Sequence, residues 1–280
     1  MRTQRLKTQS YKTKGTLRRF ILCLLLCALV LLVSSHFKEK MGIPPLFSLS
    51  PQATAAPQAT KSPQQKESYS SCDISMTARS WYALQLGAFT QESAAMQLSA
   101  EFIPRGAAGY VCRDDDIYRV YAAAYPTRAE AQSVQTRLSA QGVTTYIQPC
   151  TEDAFTLRAT GTQTQLSAVK DVFSYLDSLS MKFYALSGQL DKSELTAADA
   201  LSALMSEAHT CRALAEAFTN AFPDTLPNDA QSPIDLLLSI AQSCESVQNS
   251  QSAARIGAAL KSSQFSVIFG IRDLIFALTP

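Results

Sequence analysis

Two stretches of this chain, 36 residues apart, read alike. LQLGAFTQESAAMQLSAEFIPRG runs from Leu84 to Gly106, and VYAAAYPTRAEAQSVQTRLSAQG from Val120 to Gly142. At that offset Phe89 matches Tyr125, Ala95 matches Ala131, Leu98 matches Val134, Phe102 matches Leu138, and Gly106 matches Gly142. Each copy is a strand-like apolar run followed by a helical pattern that stops at a glycine. A duplicated strand–helix unit leaves few folds open, because the two copies must bury equivalent faces against each other.

The elements between and around the copies follow from local chemistry. Trp81 to Phe89 reads as a first strand, and Thr90 as the cap of a helix whose apolar face is Ala94, Ala95, Leu98, Phe102 and Ile103. GYVCR, from Gly109, reads as a second strand, Asp114–Asp115–Asp116 as a turn, and IYRVYAAAY as a third strand. Pro126 ends that strand, and Thr127 with Glu130 forms a T-x-x-E box that opens a helix with Ala131, Val134 and Leu138 inward. VTTYIQPC, Val143 to Cys150, is a fourth strand. The order βαββαβ with internal symmetry predicts a ferredoxin-like fold of class α+β: a four-stranded antiparallel sheet with both helices on one face and the other face open.

Strand alternation then sorts the central strands. With Leu84 and Leu86 against the helices, Trp81, Ala83, Gln85 and Gly87 face the open side. On the third strand Ile117, Arg119, Tyr121 and Ala123 do the same, which sets Gln85 between Arg119 and Tyr121. In the second copy the position of Gln85 is held by Tyr121 itself.

Charge is distributed unevenly. Residues 1–19 hold seven Lys/Arg and no acid, and are followed by FILCLLLCALVLLV, Phe20 to Val33. Extended to Phe37, that run spans roughly 27 Å at 1.5 Å per residue, enough for a bilayer core when flanking side chains snorkel. The reading is a basic cytoplasmic tail (1–19) and a transmembrane helix (20–37), with everything beyond outside the cytoplasm; a cleaved signal peptide is the competing reading. Residues 38–71 are rich in Pro, Gln, Ala and Thr, with PQAT twice, and read as a flexible tether. The domain reading is then 72–150 for the sheet domain, 151–162 for a connector and 163–280 for a helical bundle. Beyond residue 71 acids outnumber bases, which argues against nucleic-acid binding.

The bundle rests on apolar stripes. Val172, Leu176, Leu179, Phe183, Leu186 and Leu190 mark one helix; Leu201, Leu204, Ala208, Cys211, Ala215, Phe218 and Phe222 mark the next. Ser232 and Pro233 cap a third, with Ile234, Leu237, Leu238, Ala241 and Cys244 inward. FSVIFGIRDLIFAL is interrupted by Arg272 and Asp273 and reads as a buried bundle helix rather than a second span or a dimer contact.

Catalytic patterns are absent from the sequence: there is no H-E-x-x-H, no G-x-S-x-G and no phosphate loop. His36 and His209 are the two histidines; Glu207, His209 and Cys211 are i, i+2 neighbours that diverge on a helix. The expectation is a non-enzyme with no metal and no cofactor. Cys23 and Cys27 read as apolar residues of the membrane run. Beyond it, antiparallel pairing of strands one and four makes Cys72 and Cys150 one candidate disulfide, Cys211 and Cys244 a second, and leaves Cys112 a buried thiol.

WYALQLGAFTQESAAMQLSAEF, followed by IYRVYAAAYPTRAEAQSVQTRLSAQG, resembles the SPOR domain, the sporulation-related repeat, over residues 78–150. The specific parts are Gln85 to Phe89, Tyr118–Arg119–Val120, the helix start at Thr127 and Gly142. One departure is Ala123–Ala124–Tyr125, where the family usually has Gly-Pro-aromatic. The resemblance implies a bacterial peptidoglycan-binding module, often of single-pass envelope proteins, that grips glycan strands lacking stem peptides. It places glycan contacts at Gln85, and at Ile117 where the family often has an aromatic residue. Combined with alternation, it makes Gln85, Arg119, Tyr121, Ile117 and Trp81 the expected glycan-binding set, on a protein of the cell membrane engaged in wall remodelling during division or sporulation alongside division or spore-formation proteins. The alternative is a structural or interaction protein whose sheet face or bundle binds a protein partner; a wall hydrolase acting through the bundle is a third reading.

Overall fold

The computed structural model describes residues 68–152, 154–222 and 228–278. The expected basic tail (1–19), the membrane helix (20–37) and most of the tether (38–71) lie outside the described residues. Among the described residues no helix is long and apolar enough to cross a membrane.

The repeat folds as its symmetry requires. β2 (Arg79–Phe89), β3 (Tyr110–Asp114), β4 (Ile117–Tyr125) and β5 (Tyr146–Glu152) form an antiparallel sheet in the order β3-β4-β2-β5. α1 (Glu92–Phe102) and α2 (Arg128–Ala140) pack on one face over Leu84, Ala122 and Ala131. The Thr127 hydroxyl accepts the Glu130 amide at 3.2 Å, so α2 starts where the capping box puts it. α1 starts one residue later than expected: Gln91 is its N-cap and makes no side-chain bond. Gly109 adopts φ 59°, and a Cβ there would fall 2.6 Å from Ile103 and 2.7 Å from the Ser99 hydroxyl, so only glycine fits this close approach.

Between β2 and β4 the register slips twice, at Ala122 and at Leu86. An extra residue on one strand reverses the alternation beyond it. Ala123 therefore sits opposite Leu84, and a Cβ on Gly87 would meet Leu98 of α1, so both belong to the helix side rather than the expected open side. Ala124, opposite Ala83, and Ala88, opposite Arg119, take the second face instead.

The expected connector at 151–162 is largely a strand. β6 (Phe155–Gly161) pairs antiparallel with β1 (Ser70–Met76), Met76 lying opposite Phe155 and Ser70 opposite Gly161. Ile74 and Met76 join the core of the helical bundle, with Phe155, Leu157 and Ala159 packed beside them. The four-stranded sheet is thus inserted into the bundle module. The chain leaves between Met76 and Arg79 and returns between Glu152 and Phe155, and Arg79 is paired with Glu152. Asp177 clamps this crossing: its carboxylate accepts the Thr77 amide at 3.0 Å and both terminal nitrogens of Arg79 at 3.0 Å.

The same arrangement removes the Cys72–Cys150 disulfide expected from sequence. Cys72 lies opposite Ala159 in the two-stranded ribbon and Cys150 opposite Trp81 in the larger sheet, and both are thiols. Cys211 and Cys244 are buried thiols as well. Cys244 lies 3.5 Å from the Ser263 hydroxyl and Cys211 lies 3.8 Å from the Tyr175 hydroxyl.

The bundle comprises α3 (Gln163–Asp191), α4 (Ala197–Asn220), α5 (Asn228–Glu245) and α6 (Ala253–Leu278). α3 opens on a complete capping box between Thr162 and Gln165. α5 begins at Asn228, more than a turn before the expected Ser232 start, with Pro233 inside the helix. Leu238 is exposed, and Ile240 takes the core position beside Leu237.

α6 is the element that ties the two modules together, and it is buried on two sides. Ile256, Leu260, Val267, Ile271 and Leu274 enter the bundle core. Phe265, Ile268 and Phe269 face the other way, onto the second face of the four-stranded sheet. That face is therefore covered over part of its length, contrary to the open face expected from sequence. The physical reason is the i, i+3, i+4 spacing of two separate apolar stripes on one helix, each needing its own partner.

Candidate functional site

The second face of the sheet carries the residues that alternation selected. Antiparallel residues directly opposite each other share a face. From β3 it receives Tyr110, Cys112 and Asp114; from β4 Ala124, Tyr121, Arg119 and Ile117; from β2 Trp81, Ala83, Gln85 and Ala88; from β5 Cys150, Gln148 and Tyr146. Gln85 lies opposite Tyr121, and the Arg119 guanidinium donates to Gln85 Oε1 at 3.2 Å. The same guanidinium donates through Nε to Asp114 at 2.9 Å. The expected grouping of Gln85, Arg119 and Tyr121 is thus present in the fold.

The face divides in two. At one end α6 lies on it: Phe265 stacks against Tyr110 and Tyr121 with ring centres 5.5 and 5.3 Å apart, and Phe269 against the same rings at 5.7 and 5.6 Å. Gln264 donates to the Ala124 carbonyl at 3.3 Å, and Lys261 to the Gly106 carbonyl at 3.0 Å. Tyr184 of α3 meets Trp81 edge-on at 6.1 Å and donates to Glu130 at 3.0 Å. Trp81 and Tyr121, two of the five expected contacts, are in consequence only 1% and 3% exposed. Burial pushes the Tyr110 phenol up to about 12 and raises that of Tyr121 further, so both remain neutral hydroxyls.

The other end is uncovered. Ile117 is 37% exposed, Gln148 is exposed, and Tyr146, opposite Gln85 on β5, is 63% exposed. Arg119 keeps a quarter of its side chain accessible, while Gln85 lies lower at 7%. A cavity of about 220 Å³ marks the seam where α6 ends the uncovered strip; Asp114, Tyr121, Gln148, Phe269 and Arg272 are among its walls. Arg272 lies 4.9 Å over the Phe269 ring and pairs with Asp273 at 2.9 Å.

Sequence reasoning missed Tyr146 and Gln148. The signal was present: in VTTYIQPC every second residue from Tyr146 shares a face, and pairing with β2 assigns that face to Gln85. Chemically the uncovered strip combines a flat ring, a guanidinium and the exposed Gln148 amide, with the Gln85 amide buried beneath and bonded to the guanidinium. Such groups suit a sugar, whose apolar ring face stacks on an aromatic and whose hydroxyls and N-acetyl carbonyl take hydrogen bonds.

A polar cluster in the bundle offers a competing site. Glu207, buried rather than solvent-facing, accepts the Tyr175 hydroxyl at 2.7 Å and Lys182 Nζ at 3.1 Å. Burial pushes the neighbouring Cys211 thiol up to about 11, which leaves little thiolate for nucleophilic work near neutrality. His209 points away, exposed on the same helix. Among the described residues no group of three or more His, Cys, Asp or Glu is placed to hold a metal ion.

Residues 78–149 match the family model of the SPOR domain, and the match coincides with the module from β2 to β5. The segment is thus similar to the SPOR domain, a family known for binding peptidoglycan in cell division. No curated protein and no solved structure matches the chain.

Proposed function

We propose that the chain is a non-catalytic peptidoglycan-binding protein of the bacterial envelope, which reads glycan strands lacking stem peptides through the second face of its SPOR sheet. The observation that carries this reading is the strip beside α6: Gln85 and Arg119 joined across the two central strands, with the exposed Tyr146 ring opposite Gln85. Such a surface supplies both stacking and hydrogen bonds to a polysaccharide. The preference for bare strands is what the similarity of residues 78–149 to the SPOR domain implies.

The basic segment and apolar run before residue 38 would anchor the protein in the cell membrane with the SPOR domain outside, where wall glycan is found. The bundle then serves as the scaffold into which the sheet is inserted, with no chemistry of its own. Incubating the purified chain with intact sacculi and with sacculi stripped of stem peptides by an amidase tests the reading. Enrichment on the stripped material is expected; a folded chain retained on neither would refute it.

A further inference from the structure

We propose that α6 is a built-in cover, which sequesters part of the SPOR sheet's second face and swings away with the bundle to lengthen the glycan-binding surface. The inference rests on the glycan reading above. What it adds is that the face has two states and that the helix sets its affinity.

The covered surface is itself suited to sugar. Trp81, Tyr110 and Tyr121 present three aromatic groups on the face that Gln85 and Arg119 share. Phe265 and Phe269 occupy that platform by ring stacking, with 25° and 16° between their planes and that of Tyr110. A flat apolar ring on this platform takes the place that a sugar ring face would take.

The contact is also poorly satisfied for a buried interface. Trp81 Nε1 and Gln264 Oε1 are buried there without a hydrogen-bond partner. An apolar core closes without such groups, and each orphan weakens the closed arrangement relative to one in which a ligand or water meets it. A sugar hydroxyl over Trp81 would accept the indole N–H that α6 leaves unmet.

The topology allows opening without unfolding. Phe265, Ile268 and Phe269 belong to the sheet-facing stripe, and the bundle-facing stripe of α6 is separate. The two modules are joined by two adjacent crossings, Met76 to Arg79 and Glu152 to Phe155. A rotation about that paired hinge parts Phe265, Ile268 and Phe269 from the sheet, and leaves whole the bundle core and the core between the sheet and its own two helices. The hydrogen bonds it breaks include Gln264 to Ala124, Lys261 to Gly106, Tyr184 to Glu130, and the side-chain contacts of Tyr110 with Ser266 and of Cys112 with Arg272.

Trp81 is the only tryptophan of the chain, so its fluorescence reports the interface directly. The test compares the full chain with the double variant Phe265→Ala/Phe269→Ala, and with the milder Tyr184→Phe/Gln264→Ala, which removes two bonds and less packing. Circular dichroism verifies that helix content is kept. Expected results are a severalfold rise in acrylamide quenching of Trp81 and about tenfold greater retention on amidase-treated sacculi for the double variant, as the competent fraction grows. The milder pair should move both in the same direction by less. Adding Trp81→Ala to the double variant should return retention to the wild-type level. Equal retention of wild type and both variants overturns the cover and leaves the glycan reading intact. Retention of none of them, with folding kept, refutes the glycan reading and the cover with it.

Discussion

One sheet face in this molecule is treated in two ways. Toward Trp81 and Tyr121 it is packed like a protein interior, with stacked rings and side chains almost wholly out of water. Toward Tyr146 and Ile117 it is a wetted surface with a guanidinium, the Gln148 amide and a free-standing phenol, over a buried Gln85. The two halves derive from the same strands by the same alternation. Only the neighbour differs: α6 lies on one and stops short of the other. Residue type on a strand therefore assigns a face, whereas exposure is decided by distant chain. Experiments that act on the halves separately can break that contrast.

The largest effect is expected at Trp81. Truncation to alanine removes the bulkiest fully buried side chain of the covered half and leaves a cavity between sheet, α6 and Tyr184. Unfolding in urea should show a loss of about 3–5 kcal/mol. A loss under about 1 kcal/mol would mean that this half is not packed as described.

Next comes the crossing between modules. Asp177→Ala leaves the partly buried Arg79 guanidinium and the Thr77 amide without their shared acceptor. The expected cost is about 1–3 kcal/mol in urea, together with faster amide exchange in Met76 to Arg79. An unchanged exchange rate there would show that Asp177 does not hold the crossing.

Alkali should separate the halves more gently. The Tyr110 phenol is raised from 10 to about 12 by burial, so the closed form favours the neutral hydroxyl. The stability this contributes is whole below pH 10 and is lost as pH rises through about 12. Acrylamide quenching of Trp81 should accordingly climb between those values. A flat profile across that window would disconnect Tyr110 from the closure.

How much of this was legible beforehand follows from where the information sits. The 36-residue repeat, the Thr127 cap and the Gly142 stop are local, and they specified βαββαβ with its strand order. The pairing of Gln85 with Arg119 followed from period-two alternation between neighbouring strands. Three features did not follow. The slips at Ala122 and Leu86 come from no turn or glycine signature at Ala122, and they moved Ala123 and Gly87 to the other face. β6 reads as a connector in the sequence because FTLRATG is short and half polar, although its Phe155, Leu157 and Ala159 alternate as a strand lying on a core must. The seating of α6 was hidden because a bundle core and a sheet ask the same thing of a helix, an apolar stripe. What distinguished them was that Phe265, Ile268 and Phe269 form a stripe separate from Leu260, Val267 and Ile271.

The smallest stability effect, and the sharpest division of roles, is expected within the uncovered half. Tyr146→Ala removes an exposed ring that stabilises little, so unfolding should shift by no more than about 0.5 kcal/mol. Gln85→Ala should cost somewhat more, because its Oε1 holds the Arg119 guanidinium that also pairs with Asp114. On amidase-treated sacculi the order should reverse: loss of the Tyr146 ring removes the stacking surface and lowers retention roughly threefold to tenfold, whereas without Gln85 the guanidinium stays tethered by Asp114. A Tyr146→Ala chain that binds as well as wild type while Gln85→Ala does not would move the contact off β5 and onto the central pair. Loss of stability and retention in equal measure at Gln85 would make that amide a strut for Arg119 rather than a hand on the sugar.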